Sequence, residues 1–180
     1  MLGATLAAMR RCRRFRRDSR GATAVEFALV AAPFIGLMGT IAETGLVFLS
    51  TQALEGAVQI AGRSIMVGQI AKITGASAQE ARFKQIVCDN VKWFINCDEL
   101  LYDVRNYASF SAADLSAPVS GGTFNAAGLP RFQPGTTNSI VVARVYYKRK
   151  IVADYLGSNL GYLTGGYHLI VGTSVFKNEG

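Results

Sequence analysis

Residues 24–50 read AVEFALVAAPFIGLMGTIAETGLVFLS, with no charged residue from Phe27 to Ala42, Glu26 at one edge of that gap and Glu43 at the other. An α-helix rises about 1.5 Å per residue, so about 20 mainly apolar residues cross the hydrocarbon core of a bilayer. The apolar run goes on to Phe48 and Leu49, longer than the roughly 7–15 residues of a signal-peptide core. The stretch therefore predicts a membrane-spanning helix over 22–50 that continues past the far membrane surface.

Composition and charge agree with a lipid-solvated segment. Half of the 180 residues are hydrophobic and 17% are charged, against roughly 25% charged in an ordinary globular chain; the mean hydropathy is +0.24. The net charge of +7 is concentrated at the start: residues 1–21 hold Arg10, Arg11, Arg13, Arg14, Arg16, Arg17 and Arg20 against Asp18 alone, a net +6. Arginines beside an apolar run act as a topology anchor, which puts 1–21 in the cytoplasm and the C-terminal body outside, in the periplasm of a bacterium. Their attraction to anionic lipid is the same physics. A body with a net charge of only +1 offers no basic face for nucleic acid.

Past the bilayer, residues 51–76 read as a helical extension carrying a partial apolar stripe of Leu54, Val58, Ile65 and Ile73, weakened by Gly56, Gly62 and Gly68 and stopped at Thr74-Gly75. Ser77-Ala78-Gln79-Glu80 has the form of a capping box opening a second helix. Phe83, Ile86, Val87, Val91 and Phe94 give that helix a buried face and carry it to near Asn96. Leu101–Phe110, Ile140–Tyr147 and Leu169–Phe176 read as strands. The stretch 112–135 reads as a Gly, Ser and Pro loop, and 151–166 as an irregular, partly helical arm with Tyr155, Leu156, Leu160 and Tyr162. The fold class expected is α+β: a long membrane helix, a second helix, and a small antiparallel sheet of about three strands in a periplasmic domain over 77–180.

Of three cysteines, Cys12 lies among the leader arginines, while Cys88 and Cys97 fall on the outer side. An oxidising periplasm allows the latter two to pair; two free buried thiols are the other reading. Their spacing suits neither a zinc pair nor a redox C-x-x-C.

At the membrane edge, Arg20-Gly21-Ala22-Thr23-Ala24-Val25-Glu26-Phe27 sets a glycine after the basic leader and a glutamate five residues beyond it. A carboxylate at that depth is costly and calls for a partner. Cutting after Gly21 creates an α-ammonium on Ala22, and Glu26 of one subunit can neutralise Ala22 of its neighbour. Without a cut, Glu26 reads as an interfacial side chain that snorkels. This segment resembles the class III leader of type IV prepilins. More specifically, RGATAVEFALVAAPFIGLMGTIAETG is similar to TadE-like minor pilins or pseudopilins of the Tad (tight adherence, Flp) pilus system, including Pro33, Glu43, Gly45 and Ala61-Gly62-Arg63. The likeness extends more weakly to the Cys88–Cys97 spacing, VVARVYY and the terminal Phe176-Lys177-Asn178-Glu179, after which relatives continue with Pro and Phe.

The resemblance implies cleavage by a prepilin peptidase and pilus assembly. It implies contacts with other pilins and Tad assembly proteins through the N-terminal helix, and no enzymatic activity. Pro33 carries no chemistry of its own. Glu43 marks the outer membrane–water boundary, with pairing to Arg63 or a neighbouring subunit as the alternative. Catalytic readings fare poorly: His168 is the single histidine, with no nucleophile elbow near it, and one histidine makes no zinc cluster. Asp98 and Glu99 are adjacent and diverge on an extended chain. We expect no catalytic residue, metal, cofactor or small-molecule substrate. Two rival readings are an uncleaved, signal-anchored periplasmic scaffold or binding protein, and a secreted hydrolase cut near Ala42.

Overall fold

The structure is a computed structural model that describes residues 21–152 and 159–179. The leader arginines Arg10 to Arg20, Cys12, Tyr155 and Leu156 lie outside the described residues. The chain divides into two compact units between Gly39 and Thr40, and one helix, α1 (Ala22–Met66), contributes to both.

In the first unit α1 turns its apolar side chains outward. Phe27, Leu29, Val30 and Ile35 are 67–73% exposed, and the segment is long and apolar enough to cross a membrane.

In the second unit the same helix becomes a core element. Val47, Ser50, Leu54, Ala57, Val58, Ala61, Gly62 and Ile65 are buried at intervals of three and four, the stripe that a helix presents when it lies on a sheet. The sequence led us to extend this helix to Ile73, and it stops at Met66. Gly68 adopts φ +68°, a left-handed conformation that glycine takes without a Cβ clash. Its N–H bonds the Ile65 carbonyl, and the Ile70 N–H bonds that of Ser64. The chain then turns to Gly75, whose φ of +97° sets the start of α2 (Ala76–Val91).

The expected capping box does not form. Ser77 lies inside the first turn of α2, and no side chain caps the helix. Gln79 Nε2 instead donates back to the Ile73 carbonyl at 2.9 Å, and the Glu80 carboxylate accepts from the Tyr102 hydroxyl. The helix also ends before Asn96. Phe83, Val87 and Val91 are buried as read, but the turn after Val91 swings Phe94 outward and puts Ile95 in the core.

Six strands form two sheets, which corrects the simple three-stranded antiparallel sheet expected. They are β1 (Leu101–Tyr107), β2 (Val119–Ser120), β3 (Thr123–Phe124), β4 (Arg131–Phe132), β5 (Ile140–Lys150) and β6 (Tyr167–Lys177). The main sheet has the order β4-β1-β5-β6. Its β1, β5 and β6 are antiparallel, with Tyr102 opposite Val145 and Val141 opposite Phe176. The short β4 pairs parallel to β1 at Asp103 and Val104, and β2–β3 make a separate hairpin. The three short strands all fall in the stretch read as loop, because two residues are too few to show a period-2 pattern.

Strand alternation sorts the sheet's side chains. Val104, Val141, Ala143, Val145, Ile170 and Phe176 join α1 and α2 in the main core. Tyr146, Leu163 and Leu169 point the other way, into a smaller cluster with Phe124 and Leu129. The helix–sheet seam is tight. A Cβ at Gly172 would stand 2.8 Å from the Leu54 carbonyl oxygen, and one at Gly62 would stand 2.9 Å from Phe176 Cε1. At the far end the Glu179 N–H bonds the Met66 carbonyl, satisfying an acceptor that a helix terminus leaves open.

Gly172→Ala is expected to lower stability by about 1–3 kcal/mol, since backbone must move to admit the methyl group. Gly56→Ala, at a helical position with nothing within 4 Å of its Cβ, should raise it by up to about 1 kcal/mol. Urea unfolding of the two variants in detergent micelles measures the contrast.

Candidate assembly site and membrane anchor

Gly21 immediately precedes α1 and is exposed. Among the described residues no atom lies within 4 Å of where its Cβ would be. Four residues after Ala22, Glu26 lies on the same side of the helix, is exposed, and has no ion pair or hydrogen bond among the described residues. Phe27 beside it is 73% exposed. Pro33 sits within α1 without ending it; its missing N–H deprives the Leu29 carbonyl of its usual donor.

Glu43 behaves differently from Glu26. Its Oε1 is 3.7 Å from Arg149 Nε, with side-chain exposures of 11% and 20%, and Arg149 Nη1 donates to Ser50 Oγ at 3.4 Å. The partner is thus on β5, not Arg63, which stands about five and a half helical turns further along α1. Arg149 fixes the point where α1 enters the second unit.

Cys88 and Cys97 form a disulfide that ties the last turns of α2 to the chain leading into β1. Closing so short a loop contributes about 2–3 kcal/mol. Next to it, Asn96 accepts from the Asp98 N–H and donates to Glu99; both acids are exposed turn residues. His168 Nδ1 donates to the Leu160 carbonyl at 2.7 Å, and its ring meets the edge of Tyr162. No group of three or more His, Cys, Asp or Glu side chains that could hold a metal occurs among the described residues.

The sequence reading missed a buried ionic cluster. Asp103 and Arg144, opposite one another on β1 and β5, are both almost fully buried. Arg144 Nη2 donates to Asp103 Oδ2 at 3.0 Å and Nη1 to the Ser116 carbonyl at 2.6 Å. Arg105 Nε holds the other carboxylate oxygen at 2.7 Å, and that bond raises the guanidinium pKa further. A cleft of about 90 Å³ opens beside the cluster, bordered by Asp114 and Asn125. The Ser116 hydroxyl and N–H both donate to Asp114 and hold its carboxyl below the usual range. The signal available was an arginine in the middle of the most apolar strand, IVVARVYY. Elsewhere, burial first and then the Glu80 hydrogen bond push the Tyr102 hydroxyl well above its ordinary pKa.

Arg144→Met should destabilise the domain by about 3–5 kcal/mol, because it strips a buried carboxylate of its buried partner. The double variant Arg144→Met/Asp103→Leu should recover a large part of that loss, read from urea midpoints of the two proteins side by side.

Against known proteins, residues 21–63 match the family model described as TadE-like protein. No curated protein and no solved structure matches the chain. The matched stretch contains Gly21, Glu26, Pro33 and Glu43; the disulfide and the sheet lie beyond it. At that family level the match supports a general, structural pilin or pseudopilin role.

Proposed function

We propose that the chain is a minor pilin or pseudopilin that takes part in assembly of a Tad/Flp-type pilus. It is inserted in the bacterial inner membrane with residues 1–21 in the cytoplasm, the first part of α1 crossing the bilayer, the rest of α1 running on to Met66, and the C-terminal domain, which that part of α1 helps to build, in the periplasm. A prepilin peptidase cuts after Gly21. The new Ala22 ammonium of one subunit then meets Glu26 of its neighbour, in a bundle built through the N-terminal helices of pilins and Tad assembly proteins.

One observation carries this reading. Glu26 is a carboxylate in a stretch whose apolar side chains face outward, four residues after the first residue of α1 and without a partner among the described residues. An unpaired charge in hydrocarbon is costly, so a cation from another molecule is the economical solution. A pair of this kind sets register more than it adds stability. Gly21 adds support: no described neighbour crowds the position of its Cβ, and a glycine just before the cut is what recognition by a prepilin peptidase would use. The match over residues 21–63 falls on the same segment.

Mass spectrometry of the protein from cells holding the peptidase should give an N-terminus at Ala22, and Gly21→Leu should leave the full-length form. An intact Met1 terminus in those cells would favour the uncleaved periplasmic scaffold instead. Glu26→Ala should reduce incorporation into pili, or cross-linking to other pilins, by about tenfold or more while membrane insertion is unchanged. Equal loss of both would remove the pairing role.

A further inference from the structure

The last three residues of β5 are Lys148, Arg149 and Lys150. The two lysines are exposed and Arg149 is half-buried. Lys148 Nζ lies 5.9 Å from the centre of the Tyr167 ring, and neither lysine has a carboxylate partner among the described residues. Just beyond them Val152 is 67% exposed, and Tyr162, in the segment returning to β6, is 48% exposed. Basic, apolar and aromatic side chains are thus gathered at one end of the sheet.

Contacts along α1 identify which end this is. Glu43 and Ser50 meet Arg149, Leu54 meets Gly172, Gly62 meets Ser174 and Phe176, and Met66 meets Glu179. The helix and β6 therefore advance together, and the basic end lies where α1 enters the domain. The uncharged run Phe27–Ala42 spans about 24 Å of helix, most of a hydrocarbon core of about 30 Å. Glu43 accordingly stands at the far headgroup level, and its contact with Arg149 brings β5's basic end to that level. Among the described residues Glu43 offsets one of the three charges, leaving two lysines flanked by an exposed valine and a tyrosine of the kind that anchors at membrane interfaces.

We propose that this end of the domain docks on the anionic phospholipid headgroups of the leaflet from which α1 emerges. Lys148 and Lys150 meet the phosphates, and Val152 and Tyr162 sit at the acyl boundary. The docking rests on the membrane placement of α1 proposed above and holds the domain against the bilayer before assembly.

The test uses the full chain in a Cys12→Ser background, with an environment-sensitive fluorophore on Val152→Cys, reconstituted in phosphatidylcholine vesicles with and without about one-third phosphatidylglycerol. Quenching by a headgroup-attached quencher should be stronger in the anionic vesicles and weaken with salt. The Lys148→Gln/Lys150→Gln variant should lower the docking equilibrium about thirtyfold. The same probe on Lys177→Cys, at the opposite end of β6, should be unquenched throughout. Equal quenching in both vesicle types, no effect of removing the lysines, or equal quenching at both probe sites overturns the docking. Flotation of the same vesicles after a carbonate wash reports insertion of α1 separately, so its loss strikes the membrane reading, and retained flotation with composition-independent quenching strikes only the docking.

Discussion

The close seating of α1 on β6 is the contact on which the folded domain depends. Gly172 lets the Leu54 carbonyl approach the strand, and Gly62 makes room for Phe176. Between them Ala57, Val58 and Ala61 are small enough to let helix and sheet meet at short range while losing almost all their solvent exposure. α2 then closes the same face with Phe83, Val87 and Val91, and the disulfide secures α2 to the strand that follows it. A helix whose earlier residues are suited to lipid is in this way committed, by a change of side-chain size and spacing alone, to a protein core.

Much of this was legible, and the gaps have physical causes. An uncharged run of this length admits few readings other than a membrane helix, and β5 is apolar and β-branched over enough residues to declare itself. The helix boundaries were less visible. Gly68 looked like a weak point inside a helix, and it is the residue that ends it; propensity alone does not distinguish the two uses of glycine. The apparent capping box at Ser77 failed because Glu80 has a tertiary partner in Tyr102, which local sequence cannot foresee. The hairpin, the β4 edge and the Asp103–Arg144 pair depend on residues brought together from as many as 41 positions apart. The candidate assembly site is a local pattern, a glycine, a charge and an apolar run within a few positions of each other, so the sequence displays it without any long-range contact.

Two of the three glutamates of α1, Glu26 and Glu43, divide its work. Glu26 finds no partner among the described residues, and the assembly proposed above would supply one from another molecule. Glu43 is met by Arg149 and serves the subunit itself, fixing the helix to the end of β5. The pairing of Asp103 with Arg144 and Arg105 adds a buried polar knot on the opposite face of the sheet, where a small apolar cluster by itself gives limited cover.

The common direction of α1 and β6 has a mechanical consequence. From Leu54 to Met66 the helix advances about 18 Å, and from Gly172 to Glu179 the chain beside it advances about 23 Å. Tension drawn along α1, of the kind the proposed assembly into a fibre would impose, therefore loads their shared seam lengthwise. Its contacts, with the eleven-residue β5–β6 ladder aligned to the same pull, share the load and must give together, where a transverse pull would peel them apart one at a time.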